Sequence, residues 1–168
     1  MRLKPFLPVF LALLCTLSFA QAKKAKAAAG PGPDRAYLQK IWDGWAGLDP
    51  AKQAQYYAQG PHTFFDIAPL KYSSWDEYQK GVTGVLAGYQ SAKCTVNDDL
   101  DQHVLGDVAW GSATVKYEMV TKAGKHEMGN FRCTYVMEKQ DGKWLIIHEH
   151  VSVPVDLDTG KPDLSSKP

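Results

Sequence analysis

The stretch Asn130–Val153, NFRCTYVMEKQDGKWLIIHEHVSV, contains two β-rich runs that flank Gln140-Asp141-Gly142. This pattern predicts a β-hairpin. A two-residue Asp-Gly turn would pair Gln140 with Lys143, whereas a three-residue turn with a left-handed Gly142 would pair Lys139 with Lys143. We favour the three-residue turn, because Gln-Asp-Gly is typical of two right-handed residues followed by a glycine.

The turn decides which side chains share a face, because residues opposite each other in an antiparallel pair point the same way. With the three-residue turn, one face is apolar except for Glu149 and carries Phe131, Cys133, Tyr135, Met137, Leu145, Ile147, Glu149 and Val151. The other face carries Arg132, Thr134, Val136, Glu138, Trp144, Ile146, His148, His150 and Ser152. A lone carboxylate on a core face is costly unless it has a partner or a chemical role, which makes Glu149 a candidate site residue.

The chain of 168 residues is 45% hydrophobic, which predicts one globular domain with appendages. Residues 1–22 have a charged start, an apolar run too short to span a membrane and small residues at the cleavage spacing, so they predict a secretory signal. Residues 23–33 form an Ala/Gly/Pro/Lys linker. We therefore expect an exported protein, periplasmic or secreted, without membrane association after cleavage.

Removal of the signal takes away Arg2 and Lys4 and no acidic residue, which leaves 17 basic against 18 acidic residues. This balance gives no electrostatic case for nucleic-acid binding. Two cysteines remain, Cys94 and Cys133, and the predicted strand order places them two strands apart. That separation is too large for a disulfide, so we predict none between them.

The domain is predicted over residues 34–154, followed by a mostly disordered tail at 155–168. A first helix begins at Asp34 and a second at Pro50; a short strand covers His62–Ile67, and Ser74-Trp75-Asp76-Glu77 is a capping box that opens a third helix. Four strands follow at about 93–104, 107–121, 126–138 and 143–153. Three helices are the available cover for the apolar face of this sheet. The prediction is an α+β cone, in which three N-terminal helices pack on a strongly curved, mostly antiparallel sheet and enclose a cavity.

The ending Gly142–Ser152, GKWLIIHEHVS, together with Tyr57-Ala58, Phe64-Phe65-Asp66 and the stretch Tyr72–Tyr78, resembles the NTF2-like superfamily and in particular its SnoaL-like members. The ending is also similar to the final strand of the association domain of calcium/calmodulin-dependent kinases. The resemblance covers about residues 34–154 and implies the same cone fold. It implies little about activity, because this superfamily includes isomerases, cyclases, dehydratases, hydrolases and many non-enzymes.

Two departures and one match follow from the resemblance. In the kinase association domain, the positions that correspond to Tyr135 and Val151 hold pocket-facing arginines, which this chain lacks. Binding of a small anion in that manner is therefore not expected. In ketosteroid isomerases the general base is an Asp on the first strand, and Asp66 is the nearest match, followed here by Ile67 rather than by proline.

Asp66 and Glu149 are thus candidate catalytic residues for proton abstraction next to a carbonyl, with Tyr57, Tyr117 or Tyr135 as the hydroxyl that stabilises the oxyanion. The alternative is that these carboxylates are held by neighbouring groups and only shape the cavity. The predicted ligand pocket is lined by Trp45, Tyr57, Phe64, Tyr117, Cys133, Tyr135 and Val151. Cys133 shares its face with no histidine that could act as a base, so it is interpreted as a core residue rather than a nucleophile.

His148 and His150 lie two residues apart on one strand, a spacing that is compatible with metal binding but lacks an evident third ligand. We interpret them as packing with Trp110 and Trp144 on the outer sheet face, a surface suited to a homodimer. No metal and no organic cofactor are expected.

Three functions remain open at this point. The favoured one is binding of a small, mostly apolar or carbonyl-containing molecule in the cone. The second is an isomerase, cyclase or dehydratase that uses Asp66 or Glu149 as its base. The third is a dimeric interaction module with a vestigial pocket, which a filled cone without a cavity would favour.

Overall fold

The structure, a computed structural model, describes residues 32–168. The predicted signal at 1–22 and almost all of the predicted linker at 23–33 lie outside the described residues. Among residues 32–168, no helix has the length and apolar character needed to cross a membrane.

Three helical segments precede the main strands, and two of them begin at side-chain caps. Helix α1 covers Arg35–Ala46, a 3₁₀ helix covers Pro50–Tyr56, and α2 covers Trp75–Leu86. The carboxylate of Asp34 accepts the Tyr37 N–H at the start of α1, and the Ser74 hydroxyl accepts the Glu77 N–H at the start of α2. Both predicted N-caps are therefore confirmed.

The six strands form one curled sheet against which the helices pack. They are β1 Phe64–Phe65, β2 Tyr89–Val96, β3 Asp101–Leu105, β4 Val108–Thr121, β5 His126–Gln140 and β6 Lys143–Ser152. Their order is β1-β6-β5-β4-β2, with β3 also paired to β4. The β1–β6 pair is parallel and the other pairs are antiparallel. The predicted α+β cone with a curved, mostly antiparallel sheet is confirmed.

The strand predicted at 93–104 is in fact two strands, β2 and β3, which pair with different halves of β4. The chain leaves the sheet between them, and the carboxylate of Asp99 accepts the N–H of Thr114 on β4. This side chain replaces a ladder hydrogen bond at the break. The strand β2 begins at Tyr89, four residues before the predicted start.

The turn between β5 and β6 is the two-residue turn, so the preferred three-residue turn is wrong. Gln140 pairs with Lys143, and both Asp141 (φ 50°) and Gly142 (φ 81°) have positive φ. Such angles are typical of a type I′ turn, whose twist matches that of the flanking strands. As a result, Trp144 and Ile146 are buried with Met137, whereas Leu145 and Ile147 are only partly buried.

A bulge at Ile147 returns the side chains beyond this point to their predicted faces, although the pairing is offset by two residues from the predicted register. The pairs Met137–Ile146 and Val136–His148 leave Ile147 unpaired, and Tyr135 then lies opposite Glu149. The predicted shared face is therefore confirmed for Phe131, Cys133, Tyr135, Met137, Glu149 and Val151, all of which are buried. It is wrong for Leu145 and Ile147, and Trp144 and Ile146 lie on this face instead of the outer one, because the turn shifts the pairing by one residue near the hairpin end.

Residues 155–168, for which the sequence predicts disorder, contain a turn in this structure. The side chain of Asp156 accepts the N–H groups of Asp158 and Thr159. Further on, the carbonyl oxygen of Ser166 accepts from the amide of Asn130 on β5. The segment therefore folds back toward the beginning of β5.

Candidate functional site

A cavity of about 320 Å³ lies between the helices and the concave face of the sheet. Its wall is almost wholly apolar, and Asp66 is the one carboxylate in it. The lining residues are Trp42, Trp45, Asp66, Ile67, Ala68, Tyr78, Val82, Val85, Leu86, Tyr89, Ala92, Cys94, Tyr117, Met119, Phe131 and Val151. Ile67 and Val85 are each more than half exposed, so they mark the mouth of the cavity between the loop after β1 and the end of α2.

Asp66 follows directly after β1 and is partly buried at this mouth. One of its carboxylate oxygens, Oδ1, accepts the backbone N–H of Ile67 at 2.7 Å. Burial raises the pKa of the Asp66 carboxyl, and the Ile67 N–H acts in the opposite direction. No ion pair among the described residues involves Asp66.

Glu149 lies in the closed end of the cone and is 2% exposed. Its Oε2 atom accepts the Tyr57 hydroxyl at 2.8 Å and the Tyr78 hydroxyl at 3.1 Å. The Cys133 Sγ lies 3.8 Å from Oε1 as a weak donor. Trp45 Nε1–H donates in turn to the Tyr57 hydroxyl at 3.0 Å, which orients that hydroxyl toward the carboxylate.

Burial raises the pKa of Glu149 to about 7, and the nearby negative charge of Asp66 adds to the increase. The hydroxyls of Tyr57 and Tyr78 and the thiol of Cys133 lower the pKa again, because they stabilise the ionised form. Glu149 is therefore poised to change its charge near neutral pH. The pKa values of Tyr57 and Tyr78 are raised by burial and by Glu149, so both hydroxyls stay protonated and act as donors.

The structure divides the predicted site residues into two groups. Asp66, Trp45, Tyr117 and Val151 line the cavity. The residues that do not line it fill the closed end of the cone and the sheet behind it; they are Glu149, Tyr57, Phe64, Cys133 and Tyr135. For this second group the predicted place on the pocket wall is corrected, because packed aromatic rings close the cone above them.

Stacked rings account for this closure. The ring of Tyr57 stacks on that of Trp75 with a centroid distance of 4.5 Å, and the ring of Phe64 stacks on that of Tyr78 at 5.2 Å. Tyr135 is directed elsewhere, since its hydroxyl donates to Gln102 at 2.7 Å. The predicted set of candidate hydroxyls therefore loses Tyr135 as a partner of Glu149.

Tyr78 was missed as a site residue. Its ring borders the cavity while its hydroxyl donates to Glu149, so it separates the two carboxylates. In the sequence it belongs to an apolar helical stripe with Trp75 and Val82, which is equally typical of a filled core. Its spacing from Ser74 was the available signal, because it placed the side chain on the face of α2 that turns toward the sheet.

The histidines and cysteines do not form a second site in the described part of the chain. His148 and His150 both pack edge-on against Phe65, and His148 Nδ1 lies 2.7 Å from the carbonyl oxygen of Thr63. Among residues 32–168, no group of three or more His, Cys, Asp and Glu is arranged to hold a metal ion. Cys94 and Cys133 are free and buried, so the prediction that they do not form a disulfide is confirmed.

Comparison with solved structures identifies the same fold in proteins of low sequence identity. An NTF2-like protein of unknown function from Pseudomonas putida KT2440 has a TM-score of 0.67 at 21% identity, with 80% of this chain and 96% of that chain covered. An NTF2-like superfamily protein from Salmonella enterica serovar Typhimurium has a TM-score of 0.65 at 16% identity, with coverages of 77% and 96%. The association domain of CaMKII from C. elegans has a TM-score of 0.56 at 16% identity, with coverages of 70% and 90%.

No protein of curated function matches this chain significantly. Residues 39–156, by contrast, match the family model of the SnoaL-like domain. This match covers most of the described chain, including every residue that lines the cavity. The chain therefore belongs to the SnoaL-like domain family, and its fold is that of NTF2-like proteins.

Proposed function

We propose that this protein binds a small, mostly apolar molecule in the cone cavity. The observation that carries the proposal is an unfilled, apolar cavity of about 320 Å³ that opens between Ile67 and Val85. A dry apolar cavity of about 150 Å³ is already sufficient to hold benzene. The volume therefore suits a molecule about the size of two fused rings, near the lower end of the range for ligand sites.

The enzymatic alternative depends on which carboxylate a bound molecule can reach. A general base must lie within hydrogen-bond distance of the proton that it removes. Glu149 is enclosed behind Tyr78 and outside the lining, whereas Asp66 lies on the wall. The geometry thus supports Asp66 rather than Glu149 as a base, and turnover itself stays a prediction.

We also propose a homodimer through the outer sheet face, which consists of the side chains of β4 and β5 that point away from the helices. Trp110 is 39% exposed on this face and stacks on His103. Trp144 is buried in the core, so it does not belong to the predicted dimer surface. The kinship with an association domain supports self-association without identifying the face that is used.

Ligand-observed NMR with naphthalene and 2-naphthol tests the binding proposal. In the purified protein, both probes are expected to bind, because their size and apolar surface match the cavity. Ala92 lines the cavity on β2, so Ala92→Phe is expected to fill it and abolish binding. Ser91→Phe places the same side chain at the neighbouring exposed position and is expected to leave binding unchanged. Absence of binding to the wild type, or equal binding to Ala92→Phe, would refute the proposal.

A further inference from the structure

Within residues 32–168, the cone contains two carboxylates and no basic side chain that pairs with them. Asp66 lies on the cavity wall and Glu149 lies behind Tyr78. The lining residues include no Lys, Arg or His. The five ion pairs among the described residues are all elsewhere in the molecule. A desolvated carboxylate without a positive partner is unfavourable, so a bound positive charge would stabilise this region.

Two further carboxylates lie near the cavity wall. Burial is the main cause of the raised pKa of Cys94 on the wall, and the charge of Asp43 adds to it. The hydrogen bond to Glu127 raises the pKa of Tyr89, and at Tyr117 the charge of Glu127 adds to the larger effect of burial on the pKa. Lys125 pairs with Glu127, but this lysine is exposed and lies away from the lining. The field inside the cavity therefore favours a cation over an anion.

Aromatic rings form much of the wall of the cavity that Asp66 also lines. Six aromatic residues border the cavity: Trp42, Trp45, Tyr78, Tyr89, Tyr117 and Phe131. The ring of Phe131 packs against both Trp42, at 4.9 Å, and Tyr117, at 6.0 Å, so these rings are held in place. The faces of aromatic rings carry partial negative charge and attract organic cations, tryptophan most strongly.

Two hydroxyl groups on the same wall already donate to carboxylates of the protein. The Tyr78 hydroxyl already donates to Glu149, and the Tyr89 hydroxyl donates to Glu127. An anion would also face the carboxylate of Asp66 without a compensating positive group. A neutral molecule fits the apolar wall but leaves the charge of Asp66 without an oppositely charged partner.

We propose that the ligand is a small organic ammonium ion, with its apolar body among the aromatic rings and its charged group beside Asp66. This inference rests on the proposed function, because it names the chemical class of the molecule that the same cavity binds. The Asp66 carboxylate attracts the ammonium group directly. The aromatic rings surround the remainder of the ligand in place of water.

Two probes of nearly the same shape isolate the charge. Trimethylphenylammonium and tert-butylbenzene differ in the replacement of the quaternary nitrogen by carbon. We expect the cation to bind the purified protein roughly tenfold more tightly or better, as measured by ligand-observed NMR titration at physiological ionic strength and slightly alkaline pH. Benzenesulfonate, the anionic counterpart, is expected not to bind.

Variants of the carboxylate complete the test. Asp66→Asn is expected to reduce the affinity for trimethylphenylammonium to about that of tert-butylbenzene, while tert-butylbenzene binds as before and shows that the cavity is intact. Asp107→Asn removes an exposed carboxylate in the turn between β3 and β4 and is expected to change neither affinity. If tert-butylbenzene binds wild-type protein as tightly as the cation, or if Asp66→Asn keeps the preference for the cation, the inference is wrong although the proposed function survives. If none of the probes binds, both fail.

Discussion

Glu149 is stabilised as an anion by three donors and yet is hard to ionise. Two tyrosine hydroxyls and a thiol face its carboxylate, but complete burial and the charge of Asp66 raise its pKa from 4.5 to about 7. The folded protein therefore binds this proton more tightly than the unfolded chain does. The resulting stability is fully present below the ordinary carboxyl pKa and is lost as pH rises through about 7.

The Glu149→Gln variant tests this effect. Glutamine keeps an acceptor for Tyr57 and Tyr78 but cannot ionise, so the free energy of unfolding of the wild type should fall relative to the variant as pH rises. The difference between the two should change by about 3 kcal/mol from about pH 4, below the ordinary carboxyl pKa, to weakly alkaline pH. Urea unfolding at a series of pH values measures it.

Glu138→Gln, at an exposed position on β5, is the matched control and should show no such pH-dependent difference. A gap between wild type and Glu149→Gln that stays constant with pH would mean that Glu149 titrates normally in the folded protein.

At the scale of single elements, the sequence was most informative where alternation was long and regular. The pairing of β4 with β5 keeps one register from Val108 to Val120, and Ala113 and Val115 of β4 are buried. The faces of the β5–β6 hairpin were harder to predict, because the two-residue turn and the bulge at Ile147 each shift the pairing by one residue. Together the two shifts restore the predicted faces beyond the bulge. Alternation on either side of a bulge gives no sign of the extra residue, so Trp144 was placed on the wrong face.

Glycine substitutions at two positions distinguish this turn from an ordinary helical site. Gly142 has a φ of 81°, so Gly142→Ala should destabilise the protein by about 1–2 kcal/mol, since an L-residue is strained there. Gly84 lies in α2, and a Cβ atom added there meets no atom within 4 Å. Gly84→Ala should therefore stabilise the protein by up to about 1 kcal/mol.

Thermal and urea unfolding of both variants provide the measurement. Equal effects of the two substitutions would contradict the assigned turn, because a right-handed backbone at position 142 would accept alanine as readily as a helix does.

At the scale of the whole molecule, the order of elements and the motifs near the C terminus were sufficient to predict the cone. The cavity was predicted as well, but its boundary was not. Apolar side chains that fill a core and those that line a pocket have the same sequence pattern, so Tyr57 and Phe64 were assigned to the wall, while Tyr78 on α2 was not. Export of the chain and its assembly stay predictions.

The dimer proposal predicts a measurable change in mass. Light scattering coupled to size-exclusion chromatography is expected to give a dimer for the wild type and a monomer for Trp110→Lys, because a charge in the centre of a sheet-to-sheet interface would be desolvated without a partner. Leu70→Lys replaces an apolar side chain that is 92% exposed near the cavity mouth, and it should leave the dimer intact. A monomeric wild type, or a dimeric Trp110→Lys variant, would exclude this face as the interface.

Tyr78 connects the cavity to the titratable carboxyl group of Glu149, which does not line the cavity. Its ring is part of the wall, and its hydroxyl is one of the groups, with Tyr57, Cys133 and Asp66, that set the titration of Glu149. A ligand that displaces this ring, or that brings charge to Asp66, changes the ease with which Glu149 is protonated. By reciprocity, the protonation state of Glu149 changes the ligand's affinity by the same factor. Ligand binding in the cavity should therefore take up or release protons, so the local pH should influence whether the ligand is bound or released.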